Sequence, residues 1–91
     1  MREYSLDVYR KKGIATNIII ELEKAALQKG ANTIGIGVGL FKDYGSAQRL
    51  YTKLGYIPDG NGIQYDGKPV QKGTYVFVDD DLVLYYTKKL V

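Results

Sequence analysis

With 91 residues, 45% of them hydrophobic and 25% charged, the chain has the size and composition of one small globular domain rather than a disordered segment. It contains no cysteine and no histidine, which excludes disulfides, thiolate metal sites and the commonest general base. A net charge of +3 suits an anionic small ligand but is too weak to argue for nucleic acid, and no apolar run approaches the roughly 20 residues of a bilayer span. The opening Met-Arg-Glu-Tyr-Ser lacks the apolar centre of a signal peptide, so a cytoplasmic location is the default expectation.

Residues 2–6 read as a short strand. A helix is expected over residues 13–29, where Ile14, Ile18, Leu22 and Ala25 recur at helical spacing and Ala15, Ile19 and Ala26 widen the stripe. The segment Arg10, Lys11, Lys12, Gly13, Ile14, Ala15 and Thr16 opens that helix and reads as a phosphate cradle. Gly13 lets backbone N–H groups approach an anion without a Cβ in the way. The helix directs its unpaired N–H groups and the positive end of its dipole to the same place, and the three basic side chains surround it.

Residues 32–40 follow as a strand with Ile34, Ile36 and Val38 on one face and Gly35, Gly37 and Gly39 on the other. A face stripped of side chains serves either close packing of a helix or a backbone groove for a ligand, and packing is the favoured reading. Residues 41–45 form a loop. Residues 46–54 form a second helix with Ala47, Leu50, Tyr51 and Leu54 inward, ended by Gly55.

Tyr56 and Ile57 start another strand. Pro58, Asp59, Gly60, Asn61 and Gly62 are dense in turn formers. Residues 63–65 and 68–70 read as a hairpin around Asp66-Gly67, which suits a type I′ turn. Residues 74–78 alternate as an edge strand, and residues 82–90 form a closing strand. The order is strand, helix, strand, helix, strand, hairpin, strand, in one α/β domain over residues 1–91. The first strand–helix–strand unit predicts parallel neighbours.

Two of these segments carry motifs. Arg10, Gly13 and Ala15 match the spacing Gln or Arg, two residues, Gly, one residue, Gly or Ala. Ala47, Leu50, Tyr51, Lys53, Gly55 and Tyr56 match a helix with Ala-x-x-Leu-Tyr followed by Lys, Gly and an aromatic. Together, in this order and at this separation, they resemble the acetyl-CoA signatures of the GNAT family of N-acetyltransferases. The resemblance extends from about residue 5 to the C-terminus. It implies a partial GNAT acyl-CoA N-acyltransferase fold, a mixed sheet with two main helices, in which the first three strands and two helices are missing.

It further implies an N-acetyltransferase that moves an acetyl group from acetyl-CoA, its cosubstrate, directly to an amine of an acceptor. The coenzyme's pyrophosphate would lie on Arg10, Lys11, Lys12, Gly13, Ile14, Ala15 and Thr16. Its pantetheine arm would lie where the strands at 2–6 and 33–39 splay apart. A backbone N–H near Ser5 or Leu6 would polarise the thioester carbonyl. Tyr51 aligns with the family tyrosine that faces the sulfur. A phenol with an ordinary pKa near 10 is protonated at pH 7 and can serve as general acid to the leaving thiolate. Without the resemblance, Tyr51 reads as a core aromatic.

No base stands out. Asp7, Glu3 and Asp43 are the nearby acids, and Asp7 falls in the turn after the strand. Where the family often has an asparagine before the second helix, this chain has Tyr44, which puts pantetheine contacts there in doubt. Arg49 and Lys53 on the second helix could reach phosphates but suit a solvated face equally well. The shortened fold leaves strand 2–6 with an unpaired edge, so a homo-oligomer through that strand is expected. The alternative to an enzyme is a non-catalytic coenzyme A-binding or assembly module, the remnant of a longer acetyltransferase.

Other readings fit less well. Asp79, Asp80 and Asp81 lack the spaced oxygen ligands and glycine of a calcium loop. The nine tyrosines are not interleaved with a basic stripe, which argues against nucleic acid. Gly13 is not followed by Lys and Ser or Thr as a P-loop requires.

Overall fold

The computed structural model describes residues 3–7, as backbone, and residues 16–91. The elements are β1 (Glu3–Asp7), α1 (Thr16–Gln28), β2 (Thr33–Gly39), a 3-10 turn (Lys42–Tyr44), α2 (Gly45–Lys53), β3 (Ile57–Tyr65), β4 (Lys68–Pro69) and β5 (Leu82–Lys89). The chain therefore forms a mixed α/β sheet with two main helices, as expected. The cradle residues Arg10, Lys11, Lys12, Gly13, Ile14 and Ala15 lie outside the described residues, as does the start expected for the first helix.

The sheet runs β1-β2-β5-β3-β4. β1 and β2 are parallel, from Glu3 opposite Thr33 to Asp7 opposite Gly37. The splaying expected between these strands is absent along this stretch. Only beyond it do Val38 and Gly39 keep a partner on β5 alone, opposite Leu84 and Val83. β5 is antiparallel to both β2 and β3 and lies mid-sheet, although it comes last in sequence.

All of β2 is buried. Its branched face joins Ile34, Ile36 and Val38 to Ile19 of α1, Ala47 and Tyr51 of α2, and Tyr44 and Tyr56 in one apolar cluster. Burying each such aliphatic side chain stabilises the fold by about 1.5–3 kcal/mol relative to leaving it exposed. The helices thus pack on the branched residues, whereas what approaches the glycine row at Gly39 is a ring. A Cβ built there would lie 2.6 Å from Cδ2 of the buried Tyr44.

Gly39→Ala forces that ring to move inside a packed core. The expected cost is about 1–3 kcal/mol, and each kcal/mol lowers Tm by about 4–8 °C in a domain of this size. Thermal denaturation followed by circular dichroism checks this. An unchanged Tm would mean that Tyr44 yields without cost.

Three expectations need correction. The apolar stripe of α1 is turned by about one residue, with Ile19 and Ala26 buried and Ile18 half exposed. That rotation turns Glu23 toward the sheet, where its carboxylate accepts a bond from the Tyr56 hydroxyl at 2.8 Å and pairs with Lys88 Nζ at 3.1 Å. β3 runs straight through the turn-forming residues 58–62, because a bulge absorbs them. Pro58 lies opposite Tyr86 and Ile63 opposite Leu84, so residues 59–62 stand against Tyr85 alone. The Asp59 carboxylate braces the bulge by accepting from Asn61 N–H and Nδ2 at 2.8 and 3.1 Å.

Finally, residues 74–78 form no strand. Alternation supplies a face, but a strand also needs a neighbour, and no strand pairs with them. The hairpin stands as expected, with Asp66 and Gly67 at φ 50° and 79°.

Candidate active site

Tyr51 sits on the inner face of α2. Gln48 Nε2 donates to the Gly39 carbonyl at 2.7 Å and fastens this helix to the end of β2. At the other end, the Tyr56 N–H donates to the Tyr51 carbonyl at 2.9 Å as the chain turns into β3. The Tyr51 ring is fully buried and lies 6.1 Å from the Tyr56 ring, centroid to centroid. Its backbone and ring are therefore fixed by packing and by the helix end.

The Tyr51 hydroxyl is different. It is the one buried side-chain oxygen or nitrogen among the described residues with no hydrogen-bond partner. An unpaired buried hydroxyl costs about 1–3 kcal/mol, and native proteins rarely leave one without reason. Burial also pushes its pKa from 10.0 up to about 12. The ordinary phenol value expected from sequence is therefore replaced by a higher one. The group is wholly protonated at neutral pH and is a hydrogen-bond donor without an acceptor. Such a donor fits the sulfur or carbonyl oxygen of a thioester.

Ser5 and Leu6 fall in β1, opposite Gly35 and Ile36. Successive N–H groups of a strand point to opposite edges. β1 has β2 on one side and no strand on the other among the described residues. Of Ser5 and Leu6, one therefore turns its amide to the open edge and the other gives its amide to the β2 side. Only one of the two can polarise a carbonyl lying at that edge.

Thr16, the last cradle residue, is the first residue of α1 and is exposed. The first turn of α1 contains no acidic residue, so no carboxylate competes with an anion for that helix end. The Asn17 side-chain oxygen accepts from the Ile18 N–H at 3.0 Å. Arg49 and Lys53 are exposed on α2 and border a shallow cleft with Gln48, Thr52 and Tyr86. Tyr44, at the position where the family often has asparagine, is buried against Gly39.

The polar group that sequence reasoning missed is Glu23, with Tyr56 and Lys88. Burial, reinforced by the bond to Glu23, raises the Tyr56 pKa further than that of Tyr51. Lys88 Nζ also lies 5.5 Å from the Tyr56 ring centroid, a cation–π contact. Glu23 already serves two donors, so it holds α1 to the sheet and is not a free base. Its signal in the sequence is the four-residue step from Ile19 to Glu23 to Leu27, which places it beside the buried face.

Among the described residues no group of histidine, cysteine or acidic side chains is arranged to hold a metal ion. No described helix is long and apolar enough to cross a membrane. The family model described as Acetyltransferase (GNAT) family matches residues 6–56, which is 51 of the 91 residues. Searches of curated proteins and of solved structures gave no match.

Proposed function

Because the chain belongs to the GNAT family of acetyltransferases, we propose that it transfers the acetyl group of acetyl-CoA directly to an amine. Tyr51 acts as the general acid. The amine nitrogen bonds to the acetyl carbon and the carbon–sulfur bond breaks. The sulfur takes the proton of the Tyr51 hydroxyl, and the proton shed by the amine restores the phenol. The products are the acetylated amine and free coenzyme A.

The observation that carries this reading is the buried Tyr51 hydroxyl with no partner. A phenol kept only for packing would be equally served by phenylalanine and would avoid the cost of burying that oxygen. The raised pKa fits the role, because the proton is retained until a strongly basic thiolate develops beside it. The pyrophosphate would be held by Arg10, Lys11, Lys12, Gly13, Ile14, Ala15 and Thr16, ahead of a helix whose first turn is free of acids. The open-edge amide of Ser5 or Leu6 would receive the thioester oxygen.

One observation favours the second reading, a coenzyme A-binding module without turnover. Tyr51 is sealed from solvent and lines none of the clefts found among the described residues. The two readings separate in a thiol-release assay. Acetyl-CoA is incubated with a panel of small amines and amine-bearing peptides, and free thiol is followed. Release that depends on the amine and exceeds uncatalysed hydrolysis is the result expected. Coenzyme A binding by calorimetry, with no release from any amine, would select the binding module.

A further inference from the structure

Residues 74–78 combine two properties that rarely occur together on a protein surface. Their side chains are apolar and exposed, with Tyr75 fully exposed, Phe77 76% and Val78 64%. Their backbone is also unpaired. Beyond Thr74, whose N–H bonds the Gln71 carbonyl, no backbone hydrogen bond involves residues 75–78. Extended, apolar and unpaired backbone is a template for strand addition. The segment is anchored at its end, where the Tyr65 hydroxyl donates to Asp79 at 2.7 Å and the Tyr65 and Phe77 rings lie 6.5 Å apart.

The sequence identifies what fits it. Lys72 precedes the segment and Asp79, Asp80 and Asp81 follow it, so its two ends carry opposite charge. An antiparallel second copy presents the same ends reversed. A two-fold axis through such a ribbon must place one residue opposite itself. Centred on Val76, the register sets Lys72 opposite Asp80, Thr74 opposite Val78 and Tyr75 opposite Phe77, each twice. Centred on Tyr75 it would set Lys72 against Val78, and centred on Phe77 against Leu82. Only the Val76 register satisfies the charges, and it also makes two cross-strand aromatic pairs. Neither Lys72 nor Asp80 has a partner within the chain that would compete.

We propose that residues 74–78 pair antiparallel with the same residues of a second copy of this chain, centred on Val76, to form a two-fold dimer. The segment expected from sequence to be a strand becomes one in the dimer. Five residues per copy cover less than the roughly 800 Å² per partner of a standard interface. The dimer is therefore weak, with a dissociation constant between about 10 µM and 1 mM. This surface is separate from the free edge of β1, where sequence reasoning placed self-association.

Sedimentation equilibrium up to about 1 mM protein tests the proposal, over the affinity range estimated above. Lys72→Asp and Asp80→Lys should each weaken dimerisation about 10-fold, because each puts like charges together at two symmetric places. The double variant, with the charges exchanged, should return to within about 3-fold of the parent. Tyr75→Glu should weaken it by at least about 10-fold. All three side chains are exposed, so thermal unfolding should be unchanged. A chain that remains monomeric throughout would overturn the proposal. So would a dimer indifferent to these variants, or one abolished only by Ser5→Pro in β1.

Discussion

Replacing Tyr51 by phenylalanine is expected to give a protein that is more stable and far less active. Removing an unpaired buried hydroxyl relieves about 1–2 kcal/mol, which raises Tm by at least about 4–8 °C. The ring stays, so its packing against Tyr56 and the β2 side chains is kept. Turnover should fall by about 100-fold, the lower end of what a positioned general acid contributes. KM for acetyl-CoA should change little, because the hydroxyl acts on the leaving sulfur and not on the parts of the coenzyme that bind.

A pH series gives an independent readout. The folded-state pKa is raised to about 12, so the folded protein holds this proton more tightly than the unfolded chain. The associated stability is whole below about pH 10. It is lost progressively as pH climbs from there through the folded value near 12. Tyr51→Phe should remove this share of the alkaline loss. A variant that is less stable, with turnover intact, would return Tyr51 to the core as an ordinary aromatic.

The second large effect is expected at Gly13. Gly13→Asp would place a carboxylate among backbone amides that await a pyrophosphate, at the entry to a helix whose first turn has no acid of its own. Charge repulsion and the bulk of the side chain act in the same direction. Acetyl-CoA affinity measured by calorimetry should fall by at least about 100-fold, which corresponds to about 2.7 kcal/mol. Gly13→Ala, which adds bulk without charge, should fall between the parent and the aspartate variant. Equal affinity for parent and aspartate variant would remove this segment from the coenzyme site. The outcome is independent of Tyr51, since a binding module without turnover would respond in the same way.

What was legible in the sequence follows from how local each feature is. β2, α2 and the Asp66-Gly67 turn are written in neighbouring residues and fall where the pattern puts them. The rotation of α1 was not legible, because it answers to Glu23 meeting Tyr56 and Lys88, 33 and 65 residues away. The run of β3 through Pro58 and Gly62 was hidden for a similar reason. Those residues do form an irregularity, but β5 keeps the strand paired on both sides of it. For the site, the motif around Tyr51 pointed to the residue. It could not indicate that the hydroxyl lacks a partner, since that depends on every side chain packed around α2.

The position of β5 has a consequence for how the protein is made. Strands β2 and β3 are joined only through β5, so neither reaches its final pairing until residue 89 has left the ribosome. Fifty residues separate the end of β2 from the end of β5. At about 5–20 residues per second, the nascent chain carries Ile34, Ile36 and Val38 beside an incomplete sheet for about 3–10 s. Over that interval the polypeptide depends on chaperones rather than on its own core. A ribosome stalled anywhere before β5 would release a product suited to degradation, with no smaller stable domain to leave behind.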